Sequence, residues 1–196
     1  MDDRPRHNSR SKRRERAARP LDRARLDELA LAYVARFATS AGKLSAYLSR
    51  KLRERGWDGE GEPDVQAIVA RMVDAGYVDD VAFAQAKRAG LLRRGYGARR
   101  IDQALRAAGI EEAVRDDVQA SEGERRRAAL ALAKKRRFGP FGDAVGDPAK
   151  RQKQVAAMLR AGHPIDSARA LIEAPSVEEA EQWAGEGEDD AGNAPW

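Results

Sequence analysis

One short pattern recurs at a fixed interval and limits what this chain can fold into. Leu52-Arg53-Glu54-Arg55-Gly56-Trp57 and Leu105-Arg106-Ala107-Ala108-Gly109-Ile110 share a form, and Met158-Leu159-Arg160-Ala161-Gly162-His163 is a looser third copy. A glycine that ends a helix with an apolar residue directly behind it is a left-handed C-terminal cap, because glycine alone takes that backbone without a Cβ penalty. The three glycines lie 53 residues apart both times. Each copy is preceded by a helical segment, around 29–37, 81–92 and 128–135. Each is followed by apolar residues at helical spacing: Val65, Ile68, Val69 and Met72; Ala113, Val114 and Val118; Ile165, Ala168, Leu171 and Ile172. Three tandem copies of a three-helix unit are the economical reading. The copies differ in their loops, 58–63 in the first and 138–148 in the third.

The middle copy is the most sharply punctuated. Gly76-Tyr77 ends one helix, and Asp79 or Asp80 caps the next, whose apolar contacts are Val81, Phe83, Ala84 and Leu91. Gly95-Tyr96-Gly97 breaks that helix, and another starts near Ala98, carries Ile101 and Leu105, and stops at Gly109-Ile110. Adjacent carboxylates before a helix are caps rather than a metal pair. The glycine turn is no phosphate loop, since no strand precedes it and the Lys-Ser/Thr pair is missing.

The remainder of the chain excludes most other fold classes. Residues 21–172 are long enough for a shared core, whereas one unit of about 45 residues would be marginal alone. There is no run of alternating β-branched and aromatic residues, and aromatics are 6% of the chain, so the fold class is all-α. No apolar run approaches the roughly 18 residues of a membrane span. Zero cysteines remove disulfides, Cys-ligated zinc and thiol chemistry. The N-terminus has no apolar core of a secretory signal, and a soluble, cytoplasmic monomer is expected. Of the two histidines, His7 lies in the tail and His163 reads as a contact at a helix C-cap. With no convergent carboxylates either, no catalysis, metal or cofactor is expected.

Charge is segregated. Residues 1–20 hold eight Lys/Arg against three acids, and residues 173–196 hold eight acids and no Lys/Arg, in a chain of net +5. Both ends lack helical periodicity and are expected to be disordered. The predicted organisation is a basic arm over 1–21, three-helix units over 22–78, 79–120 and 121–174, and an acidic tail over 175–196. The arm is either a nucleic-acid-binding segment or a solvated charge run. The acidic tail aids solubility, or competes for the protein's own basic surface.

That surface has two stripes. Lys87, Arg88, Arg93, Arg94, Arg99, Arg100 and Arg106 are interrupted by one acid, Asp102. Arg125, Arg126, Arg127, Lys134, Lys135, Arg136 and Arg137 are interrupted by none. Two basic stripes on consecutive helical units suit a phosphate backbone or an acidic protein groove. The plainer alternative is a solvated face, with Arg99, Asp102 and Arg106 spaced for intrahelical pairing.

The string Gly76-Tyr77-Val78-Asp79-Asp80-x-x-Phe83-Ala84, then Arg94-Gly95-Tyr96-Gly97-x-x-Arg100-Ile101-x-x-x-Leu105-Arg106-x-x-Gly109-Ile110, resembles the central motif of the RecX family, bacterial regulators of the RecA recombinase. Ser40, Leu44, Leu48 and the Arg55-Gly56 stop fit the same pattern, which covers roughly residues 26–172. Lys43 departs from it, standing where the family often carries an acid. The resemblance implies an elongated, curved protein of three triple-helix repeats. It also implies binding along the groove of the RecA–DNA filament, with restraint of its ATPase, coprotease and strand-exchange activities in recombination, repair and the SOS response, and no catalysis of its own. The partners expected are the RecA filament and single- or double-stranded DNA, with no membrane. A helix-turn-helix-like DNA-binding regulator is the alternative, reading a groove with the 98–108 helix. That helix offers arginines but no Asn, and Gln103 has no companion reader.

Overall fold

The structure, a computed structural model, describes residues 19–142 and 147–186. Among these residues there are ten α-helices, one 3-10 turn and no strand beyond an isolated bridge. No described helix is long and apolar enough to cross a membrane. The chain divides into two compact units, the boundary falling between Asp79 and Asp80.

The first unit holds α1 (Arg23–Val34), α2 (Ala41–Arg55) and α3 (Val65–Asp74). Each starts at a side-chain cap: Asp22 accepts from Arg25 N at 2.8 Å, Ser40 from Lys43 N at 3.3 Å, and Asp64 from Ala67 N at 2.9 Å. Such caps supply partners for N–H groups that the first helical turn leaves open. Leu26, Ala30, Leu44, Leu48, Ile68, Val69 and Met72 then close one core. Leu21 is part of it. Expected at the end of a disordered arm, it is instead fully buried, and its backbone pairs with Gly56 and Asp58 at 2.9 Å each. A single leucine with no periodic neighbours carries no helical signal, but its side chain completes the core. The rest of the predicted arm, residues 1–18, lies outside the described residues.

The second unit begins with α4 (Asp80–Arg93), α5 (Ala98–Arg106) and α6 (Glu112–Asp117) around Ala84, Leu91, Ile101, Leu105, Ile110 and Val118. Val81, expected in this core, is instead 44% exposed. The unit continues with α7 (Glu122–Arg136), a 3-10 turn at Gly139–Phe141, α8 (Pro148–Arg160), α9 (Ile165–Ile172) and α10 (Val177–Gly185). Their core contains Ala129, Leu132, Ala133, Met158, Ala168, Leu171, Ile172 and Ala180. A capping box opens α7: Ser121 Oγ accepts from Glu124 N, and Glu124 Oε2 accepts from Ser121 N.

Helix α10 corrects the expectation of a disordered tail from 175 onward. Ser176 caps it by accepting from Glu179 N at 3.2 Å. Ala180 and Ala184 are buried, and Trp183 packs against the same core. The acids dominate the composition of this segment and mask an apolar stripe at i, i+3 and i+4 made of two alanines and one tryptophan. Alanine burial permits close helix approach without a strong periodic signal. Residues 187–196 lie outside the described residues.

The predicted caps at Gly76, Gly109 and Gly162 have positive φ, between 72° and 96°, and so does the helix-breaking Gly95. Gly56 departs from the expected left-handed cap: its φ is 80° but its ψ is 173°, so the chain leaves α2 extended, toward the pairing with Leu21.

Candidate interaction surface

The basic surface of the second unit is positioned by a backbone clamp between two glycine turns. Leu91 O accepts from Tyr96 N at 3.1 Å, and Leu92 O from Gly95 N at 2.8 Å, which closes the end of α4. Gly97 N then donates to Ala161 O at 3.0 Å, and Arg99 N to Gly162 O at 3.2 Å. The turn after α4 is thereby fastened to the turn after α8, and the first turn of α5 finds partners for its open N–H groups there.

His163 completes the clamp. Its Nε2 lies 2.9 Å from Gly95 O, in a buried contact spanning 68 residues. Because a carbonyl oxygen only accepts, Nε2 must carry the proton. The expected local C-cap role belongs only to the backbone, where His163 N donates to Met158 O at 3.2 Å; the imidazole itself ties two turns together.

Burial pushes the His163 imidazole below its usual value of 6.5, against the weaker opposing effect of the Gly95 bond. A depressed histidine pKa means the unfolded chain takes up a proton first as the solution is acidified. The stability contributed is therefore complete above pH 6.5 and is lost as pH falls toward the folded value. Thermal unfolding between about pH 7 and about pH 5 should show a falling melting temperature for the wild type, since carboxylates titrate near pH 4. His163→Gln, which keeps a donor and cannot titrate, should flatten that dependence. Equal slopes for the two proteins would remove His163 as its source.

The predicted cations are distributed unevenly around this clamp. Arg93, Arg94, Arg99 and Arg100 are exposed on either side of the 95–97 turn. Arg94 Nε donates to Gly90 O at 3.0 Å, and its guanidinium lies 5.9 Å from the Tyr96 ring centre. Arg94 also lines a pocket of about 110 Å³ with Tyr96, Lys135, Arg136 and Phe138, so the two basic stripes meet there. Arg99 and Arg106 instead border a cleft of about 350 Å³ with Arg125, over Ile101, Leu105 and Val118. Arg94 and Arg99 therefore border two separate hollows, and Arg93 and Arg100 line neither. The half-buried Lys87 lies on α4, and exposed Arg127 and Arg137 lie on α7 and at its C-cap.

Other cations from the stripes serve the fold. Arg88 donates to Val118 O at 3.3 Å, Gln119 O at 2.9 Å and Glu124 Oε1 at 3.0 Å, tying α4 to the segment entering α7. Arg125 and Arg126 both pair with Glu122 at 2.9 Å. Arg126 holds Glu122 below the usual carboxylate range despite partial burial, with Arg125 adding to the effect. Arg106 bonds Asp102 at 2.8 Å, and the part-buried Arg115 bonds the same carboxylate. Burial works against ionisation of Asp102, but the bonds from Arg115 and Arg106 outweigh it. Nothing local in the sequence singles out Arg115, which sits alone among acids; only its partner thirteen residues away reveals its role.

Among the described residues no group of His, Asp and Glu could hold a metal ion. The features together define a class: an all-α protein of short capped helices whose distinguishing surface is basic and aromatic-lined.

No family model matches the chain. It is 33% identical over 157 residues to the regulatory protein RecX of Myxococcus xanthus, covering 76% of this chain and 84% of that one. It is 35% identical over 138 residues to the RecX protein of Mycobacterium sp. strain KMS, covering 68% and 73%. A third RecX protein, from Stenotrophomonas maltophilia, is 34% identical over 123 residues, covering 62% and 72%. The crystal structure of RecX from Lactobacillus salivarius shares the fold, with a TM-score of 0.57 at 16% identity over 83% of this chain and 96% of that one. The chain belongs to the RecX family of regulatory proteins.

Proposed function

We infer that this protein acts on the RecA recombinase, binding the RecA–DNA filament and restraining its ATPase, coprotease and strand-exchange activities without catalysis of its own. Arg93, Arg94, Arg99 and Arg100 carry the contact in this reading, with Lys135 and Arg136 beside them. The observation that bears most weight is electrostatic. Arg99 and Arg100 occupy the first turn of α5, which contains no acid, and cations are disfavoured at the positive end of a helix dipole by about 0.3–1 kcal/mol each. Among the described residues neither side chain has an acidic partner. An anionic partner would relieve that cost.

The three-unit division remains part of this proposal: 22–78, 79–120 and 121–174 each contribute a helix triplet to the binding protein. The helix-turn-helix alternative fits less well, because the backbone at the N-terminus of α5 is engaged by Gly162, where a groove-reading helix would present that end to DNA.

The direct test is ATP hydrolysis by RecA on single-stranded DNA, with and without the full-length protein. The isolated protein should turn over no ATP, and its addition at ratios up to equimolar should lower the RecA rate. An ATPase trace identical to the control at saturating protein would sink the reading.

A further inference from the structure

One side of the 125–137 stripe is covered, while Arg127, Lys135, Arg136 and Arg137 stay exposed. Helix α10, the acidic last described helix, lies along α7 and meets two of its cations, Arg126 and Lys134, with carboxylates. Lys134 Nζ stands 2.6 Å from Glu181 Oε1. Arg126 Nη1 donates to Trp183 O at 3.1 Å and lies 3.9 Å from Glu186 Oε2, and its guanidinium sits 5.0 Å from the Trp183 ring. Arg126 and Lys134 are eight residues apart, about 12 Å along one face of a helix. Buried Ala180 and Ala184 bring the two helices into register between those contacts.

We propose that the Arg126–Lys134 face of α7 is a second polyanion-binding surface for the phosphate backbone of single-stranded DNA, and that α10 is its built-in competitor. The proposal rests on the reading of this protein as a partner of a nucleoprotein filament.

Two features suit a competitor better than a permanent brace. The charged contacts are partly exposed: Lys134 and Glu181 are each 46% accessible and Glu186 is 56%, whereas Arg126, which Glu122 also holds, is 22%. Exposed ion pairs contribute only about 0–1 kcal/mol. They are nevertheless tethered to their target, and a tethered group competes at an effective concentration on the order of millimolar. The contacts are thus always made and individually weak. A strand that offers several phosphates at once can displace Glu181 and Glu186, whereas a single free anion cannot.

The test uses full-length protein and fluorescein-labelled oligothymidylate, titrated across a salt series. Glu181→Gln/Glu186→Gln removes the two carboxylates that face α7. Glu178→Gln/Glu179→Gln removes the same charge from the first turn of α10, where neither carboxylate makes an ion pair with Arg126 or Lys134. The first variant should bind several-fold more tightly than wild type, with a salt slope steeper by roughly 0.7 per additional phosphate bound. The second should change little. Adding Arg126→Gln/Lys134→Gln to the first variant should return affinity to the wild-type level. Far-UV circular dichroism checks that each variant keeps its helices.

Equal tightening in the two glutamine pairs would reduce the effect to net charge and overturn the proposal. So would tightening that survives removal of Arg126 and Lys134, or no binding by any variant. If the glutamine pairs leave affinity unchanged while the protein still lowers the RecA ATPase rate, the competitor falls and the functional reading stands.

Discussion

Gly97→Ala should destabilise the second unit by about 3 kcal/mol, enough to lower the melting temperature by roughly 6–12 °C for a chain of this size. Gly97 has φ of −82°, which any residue can adopt, so backbone strain plays no part. The cost is steric. A Cβ at position 97 would overlap the carbonyl carbon and oxygen of Gly162 and stand 2.6 Å from His163 N. Those are backbone atoms, which cannot rotate away as a side chain can, and the clamp from Gly97 N to Ala161 O would have to open.

The reciprocal change, Gly162→Ala, meets Arg100 N at 2.5 Å and adds the strain of φ +96°, about 1–2 kcal/mol more. Gly76→Ala supplies the contrast. Its φ is +73° but its Cβ would meet nothing within 4 Å, so only about 1–2 kcal/mol of strain is expected. Thermal unfolding followed by far-UV circular dichroism ranks the three. A Gly97→Ala protein that melts with the wild type would mean that the two turns do not touch.

Reversing Arg93, Arg94, Arg99 and Arg100 to glutamate should weaken binding to the RecA–DNA filament at least tenfold, about 1.4 kcal/mol, while the helices remain folded. Stability should change little because the helix-dipole effects oppose one another. Glutamates at 93 and 94 are unfavourable at the end of α4, but at 99 and 100 they are favourable in the first turn of α5. Arg94 gives up a hydrogen bond to Gly90 O and its place beside the Tyr96 ring, both at the exposed surface. If the arginines touch phosphates, the salt dependence of binding should also flatten by roughly 0.7–0.9 log units for each phosphate no longer neutralised. Unchanged affinity together with unchanged salt dependence would reduce this patch to a solvated face.

The local features of the chain are legible without any tertiary contact. Helix ends are short-range events: a cap needs one side chain and an N–H three residues on, or one glycine and its follower. Ser40, Gly56, Gly76, Gly95, Gly109 and Gly162 can therefore be read directly, and so can the apolar faces of Ile68-Val69-Met72 and Ile101-Leu105. The all-α class and the RecX family follow from such signals, because a string of caps at set spacing is itself a description of the fold. The final helix escapes because alanines and one tryptophan give a weak periodic pattern beneath dense acidic charge.

The candidate surface depends on pairings that local patterns do not encode. Arg88 and Arg94 belong to the same basic run, the first within α4 and the second directly after its last residue. Tertiary structure sends Arg88 to Glu124 and two backbone carbonyls and leaves Arg94 beside Lys135 and Arg136. His163 finds Gly95 across 68 residues, and Lys134 finds Glu181 across 47. Where most helices stop and which face they bury is written in the chain, since both follow from backbone geometry and spacing within a few residues. Which cations stay open to a partner is settled by the packing of distant turns, because a guanidinium is neutralised by whatever carboxylate or carbonyl the fold brings within about 3 Å.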